Sequence, residues 1–140
     1  MDELHWRQLS ATRVEEARCL LAAGHWAGAY YLAGYAVECL LKALAIRQLL
    51  ANPGQVFGEG NYQADVRTHD FARLLRRLKL AAQLDTDAKA DPILEKAWEV
   101  VFEWDESDRY EFVDEPAARI LLDAITDPQH GVLEWISRQF

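Results

Sequence analysis

The chain has 140 residues, 51% of them hydrophobic and 27% charged, with a formal net charge of −8. A chain of this size buries roughly two-thirds of its unfolded surface, so neither wholesale disorder nor a need for covalent staples fits it. The negative balance excludes a whole-surface attraction to nucleic acid and leaves only a local basic patch as a route to phosphate.

The chain opens Met1-Asp2-Glu3, acidic where an export signal would be basic, so no signal peptide is expected. The first predicted helix covers roughly Leu4–Ala23, with Val14, Ala17 and Leu21 on one stripe. Thr12 and Glu15 have capping-box spacing and offer a later start, and Gly24 offers a stop. The second helix runs from about Trp26 to Leu50 and is apolar nearly all round, which suits a bundle centre or a subunit interface. Its nearly apolar part, Trp26–Leu41, falls short of the ~20 residues that span a bilayer and is interrupted by Glu38.

Residues 51–68 read as a long connection with turn chemistry at Asn52-Pro53-Gly54 and Gly58-Glu59-Gly60-Asn61. Loops of this length are usually functional or mobile. A third helix is expected over about His69–Leu80, with Thr68 as N-cap, and a fourth over about Pro92–Trp104, capped by Asp91. A link, Asp105–Asp114, leads to a fifth helix from Glu115-Pro116 to about Ile125. Asp127-Pro128 then kinks or restarts the chain, and Val132, Leu133, Trp135 and Ile136 continue the apolar pattern. No strand-type alternation, repeat or domain boundary appears, so residues 1–140 read as one all-helical domain.

Enzyme signatures are missing. There is no phosphate-loop motif, no serine in G-x-S-x-G, and no histidine with a His or Cys partner at i+3 or i+4. No metal or cofactor is therefore expected. Cys19 and Cys39 read as two small buried hydrophobes in a reducing, cytoplasmic setting.

Three features carry the remaining chemistry. Arg67, Arg73, Arg76, Arg77 and Lys79 crowd residues 67–79 against Asp70 alone, while residues 85–115 hold twelve acids. These stretches either pair across two helix surfaces, or Arg73, Arg76 and Arg77 form a ridge for RNA or nucleotide phosphate. Glu38 stands mid-run in the most apolar helix, with Lys42 four residues on. A wet helix edge would make that pair merely structural; an inward Glu38 would need a cation, for which Arg109 is a candidate. Arg109-Tyr110 lies in the link, where an arginine can grip phosphate in bidentate fashion or tie the loop to helix-end carbonyls.

Together these residues resemble the HEPN family, the helical domain associated with prokaryotic nucleotidyltransferases. Ala29-Tyr30-Tyr31-Leu32-Ala33-Gly34-Tyr35-Ala36-Val37-Glu38-Cys39-Leu40-Leu41-Lys42-Ala43-Leu44 is similar to that family's second helix, which leads into E-x-x-L-K-A. Thr68-His69-Asp70-Phe71 with Leu74-Leu75 is similar to its H-D-L…LL helix start, and Trp104 through Arg109-Tyr110 to its W-x-x-x-x-R-Y link.

The resemblance implies an up-and-down antiparallel bundle of four to five helices that commonly dimerises. It also implies roles in toxin–antitoxin, defence or RNA-related systems, with nucleotide or RNA as ligand and a nucleotidyltransferase as possible partner. Many members are ribonucleases with R-x(4–6)-H late in the domain. Here the next histidine after Arg109 is His130, and the literal match Arg18…His25 lies at the end of the first helix.

The expectation is a non-catalytic nucleotide-, RNA- or partner-binding module using Glu38, Lys42, His69, Asp70, Arg109 and Tyr110, without a membrane. The alternatives are a ribonuclease toxin with a divergent site built on His69 and Arg109, and a structural dimer subunit without ligand. A homodimer is expected because the second helix and the five tryptophans offer more apolar surface than one small bundle hides.

Overall fold

A computed structural model describes residues 2–51 and 68–140, with Arg109 and Tyr110 described in their backbone alone. The long connection, and with it the turn chemistry predicted near Asn52 and Gly58, lies outside the described residues.

Among the described residues seven α-helices follow one another: α1 (Glu3–Ala22), α2 (Trp26–Ala51), α3 (Phe71–Arg77), α4 (Ala81–Ala90), α5 (Pro92–Phe102), α6 (Glu115–Thr126) and α7 (Val132–Ser137). A 3-10 turn, Glu106–Tyr110, joins α5 to α6, and no strand occurs among the described residues. The all-helical expectation therefore holds.

α2 is the hub. Every residue from Ala36 to Ala45 is buried. α1 packs along its length, and α6, α7, α3 and the 3-10 turn cover the rest. Ser10 fixes the α1 contact by donating its hydroxyl to the Ala36 carbonyl at 2.7 Å, which leaves no polar group stranded there. Leu41, Leu44, Leu121, Ile125 and Ile136 are fully buried in the shared core. Truncating any one of them to alanine should cost about 2–5 kcal/mol.

By length and composition α2 could also cross a bilayer, contrary to the shorter run read from sequence. However, 72% of its most apolar window is buried inside the chain, as in a core helix.

Helix ends follow local chemistry. The Asp2 side chain accepts from the His5 amide, so α1 starts at Glu3 and not at Thr12, which lies inside the helix. Gly24 adopts φ +83 just beyond α1, a backbone state that costs glycine little. Asp91 accepts from the Ile93 and Leu94 amides ahead of Pro92 and opens α5. Asp114 does the same for α6 through Ala117.

The middle of the chain departs from the sequence reading. The third helix is shorter than His69–Leu80, because Lys79 takes a left-handed backbone (φ 57) that α3 cannot continue through. α4 is a separate helix that sequence periodicity missed: only Leu84 in it is buried, so it carries no apolar stripe.

α3 packs mainly on α2 and α4, and Glu95 and Glu99 on α5, with Glu103 at its C-cap, form a solvated face. Cys39 is buried, but Cys19 is exposed, because α1 buries only Ser10, Val14 and Ala17. The apolar surplus expected to drive dimerisation is also mostly absorbed. The centre of α2 and Trp98, Trp104 and Trp135 are packed within the chain.

Gly34 explains how Trp104 reaches α2. A Cβ at Gly34 would overlap the buried indole of Trp104. That indole stacks on Phe71 at 5.4 Å and is flanked by Tyr31 and Tyr35, so it has little room to yield. Gly34→Ala gains about 1 kcal/mol of helix propensity, whereas overpacking costs about 1–3 kcal/mol. Gly34→Ala is expected to lower the thermal midpoint. Gly28→Ala, which meets only the flexible end of Leu20 at 3.2 Å, should leave it unchanged or raise it.

Candidate functional site

The site begins with the one-turn spacing of Glu38 and Lys42 on α2. Glu38 is 1% exposed, so the inward orientation is the one adopted. Lys42 donates to Glu38 Oε1 at 2.7 Å, with its own ammonium 5.4 Å from the centroid of the Trp6 ring on α1. A carboxylate taken out of water costs several kcal/mol unless cations replace its hydration.

A second cation-capable group arrives from the segment before α3. Thr68 Oγ1 accepts from the Asp70 amide and Asp70 Oδ1 accepts from the Arg73 amide, so Asp70, not Thr68, caps α3. Between them, His69 points back at α2. Its Nδ1 lies 2.5 Å from Glu38 Oε1 and its Nε2 lies 2.8 Å from Glu106 Oε2. The ring of Tyr35 stands edge-on at 6.1 Å.

The approach to Nδ1 is an ion-pair distance without hydrogen-bond alignment, so Nδ1 and Glu38 Oε2 keep no hydrogen-bond partner among the described residues.

Glu106 is carried by the 3-10 turn. Asp105 accepts from the Ser107 amide at 2.8 Å, and Asp108 accepts from the Asp105 amide at 2.7 Å, a reciprocal cap that fixes the turn against α2. The Asp105-x-x-Asp108 spacing is a capping signal that could have located this turn. Glu106, Asp105 and Phe102 were all missed by sequence reasoning. Arg109 and Tyr110 lie on the same turn, but their side chains lie outside the described residues. Among the described residues, Lys42 and His69 face Glu38.

A cavity of about 580 Å³ opens in front of His69. Trp104 and Phe71 form its apolar wall, and Phe102 stands at its rim, 45% exposed. Asp70, Asp105 and Glu106 supply acceptors. A second concavity, lined by Asp70, Arg73, Arg76 and Arg77, adjoins it through their shared Asp70. The predicted residues Glu38, Lys42 and His69 thus meet midway along α2, and Asp70, next to His69 in the chain, stands beside the three arginines.

Local electrostatics follow from burial. Desolvation pushes the Cys39 thiol up to about 11, with the charge of Glu38 adding to it, so Cys39 stays a thiol and is no nucleophile. Desolvation, then the hydrogen bond with Tyr31 and the Glu38 charge, raise the Tyr35 phenol. The Ser107 amide, helped by the Ser107 hydroxyl and the charge of His69, holds Asp105 below the usual carboxylate range. No group of three or more metal-ligating side chains occurs among the described residues.

Comparison with protein-family models, with curated protein sequences and with solved structures finds no match to this chain.

A carboxyl held below its unfolded value near 3.9 contributes stability above that pH and loses it as pH falls through the folded value. Asp105, Asp91 (through His130) and Asp127 (through the His130 and Gln129 amides) all act in this direction. Asp105→Asn is therefore expected to lower the thermal midpoint at neutral pH and to flatten its fall below about pH 4. Thermal melts across that range check this; an unchanged slope contradicts it.

Proposed function

We propose that this chain is a HEPN-type module that binds a nucleotide or single-stranded RNA without cleaving it. The observation that carries this reading is the pair of adjoining concavities that share Asp70. One offers an aromatic rim and hydrogen-bond acceptors, which suits a base with N–H donors; stacking on one aromatic side chain is worth about 1–3 kcal/mol. The other offers three guanidinium groups, which suit phosphate. Phosphate in the first concavity would meet Asp70, Asp105 and Glu106, so the acids direct the ligand's two ends apart. Binding, not turnover, is further supported by His69, whose two ring nitrogens both face carboxylates.

Under this reading the family resemblance supplies a companion nucleotidyltransferase in a prokaryotic toxin–antitoxin, defence or RNA-related system. A second reading rests on one contact: a buried carboxylate against Nδ1 is also how an imidazole is oriented for proton transfer. A ribonuclease would then use His69 Nε2 once Glu106 releases it.

Calorimetric titration with GMP, AMP and short unstructured RNAs tests the proposal. Binding is expected, weakened roughly tenfold by Phe102→Ala. The Arg73→Ala/Arg76→Ala/Arg77→Ala variant should show a smaller salt dependence, and the RNA should emerge intact. No binding of any of these ligands overturns the proposal. RNA cleavage that disappears in His69→Ala would favour the ribonuclease.

A further inference from the structure

The cavity in front of His69 carries an excess of hydrogen-bond acceptors. Asp70, Asp105 and Glu106 line it, and among the described residues no lysine, arginine, asparagine or glutamine does. Phe102 and Trp104 supply its aromatic surface.

The three acids are not equivalent. Asp70 Oδ1 accepts from the Arg73 amide and opens α3, and Asp105 Oδ1 accepts from the Ser107 amide and opens the 3-10 turn. Glu106 serves no such cap among the described residues. Its side chain is 45% exposed, and His69 Nε2 approaches Oε2 at 2.8 Å. A carboxylate offers about four lone-pair sites over its two oxygens, so one contact leaves most of that capacity for a ligand.

The bases differ in how they meet such a group. Adenine and cytosine each set one amino donor beside a ring-nitrogen acceptor, and uracil sets one N–H between two carbonyls. Each of these edges turns a lone pair toward a carboxylate oxygen. Guanine places two donors, N1–H and the N2 amino group, side by side on its Watson–Crick edge. Two parallel N–H···O bonds to one carboxylate are the arrangement that makes the bidentate arginine–carboxylate pair strong and geometrically specific.

We propose that this cavity selects guanine among the bases, with Glu106 reading the N1–H and N2 amino edge while the ring stacks at the Phe102 rim. The inference rests on the nucleotide reading of the cavity and names the base.

Calorimetric titration of the full chain with GMP, IMP, AMP, CMP and UMP tests it. GMP should bind tightest. IMP, which lacks the N2 amino group, should bind roughly tenfold more weakly, and AMP, CMP and UMP roughly tenfold or more. Glu106→Gln keeps an acceptor for His69 but turns one acceptor oxygen into a donor. It should weaken GMP roughly tenfold and improve XMP, whose N1–H stands beside a carbonyl acceptor. AMP binding as tightly as GMP, or a guanine preference that survives Glu106→Gln, overturns the inference and leaves the nucleotide reading standing. Failure of every nucleotide to bind overturns both. Should Glu106→Gln fail to fold, the comparison of GMP with IMP and AMP on the native chain decides alone.

Discussion

Glu38 sits on the helix that the largest part of this structure packs around, and its carboxylate has lost nearly all contact with water. A bare carboxylate in that position would cost several kcal/mol, a large share of a small domain's margin of stability, so its surroundings are constrained. Lys42 comes from the same helix one turn away, His69 from the segment that leads into α3, and Glu106 from the 3-10 turn. Three parts of the chain distant in sequence are brought together midway along α2 around this one carboxylate. The cavity in front of His69 exists because these parts meet there and because Gly34 lets Trp104 close behind them.

The same arrangement sorts charge on the outer surface. Asp70 does two jobs: it caps α3 with one oxygen and stands between the acid-lined cavity and the arginine-lined one. A ligand with an aromatic, donor-bearing end and an anionic end fits that polarity, and one with the reverse polarity does not. A net charge of −8 is compatible with such a ligand, because the three guanidinium groups are gathered on α3 and the acids of α5 face solvent elsewhere.

Much of this was legible in the sequence. α2 announced itself by an apolar run with one acid and one base at helical spacing, and Asp91-Pro92 and Glu115-Pro116 marked the starts of α5 and α6. His69 and Asp70 were singled out before their partners were known. What was not legible has physical reasons. α4 buries a single leucine, so periodicity had nothing to detect. The left-handed backbone at Lys79 leaves no compositional trace when the residue is not glycine. Glu106 is an ordinary acid among many in its region, and only the folded chain shows that it closes on the ring of His69. Cys19 was misread as buried because α1 turns a narrower face inward than its alanines and leucines suggest.

The central claim is that Glu38 is a buried charge held by Lys42, and a double-mutant cycle on these two positions tests it most directly. Chemical unfolding would be measured for the native chain, Glu38→Gln, Lys42→Met and the double variant. The account predicts that Lys42→Met alone costs about 3–5 kcal/mol, because it strands the carboxylate, and that the double variant recovers a large part of that loss. Additive effects, or a Lys42→Met cost of under about 0.5 kcal/mol, typical of an exposed pair, would contradict it.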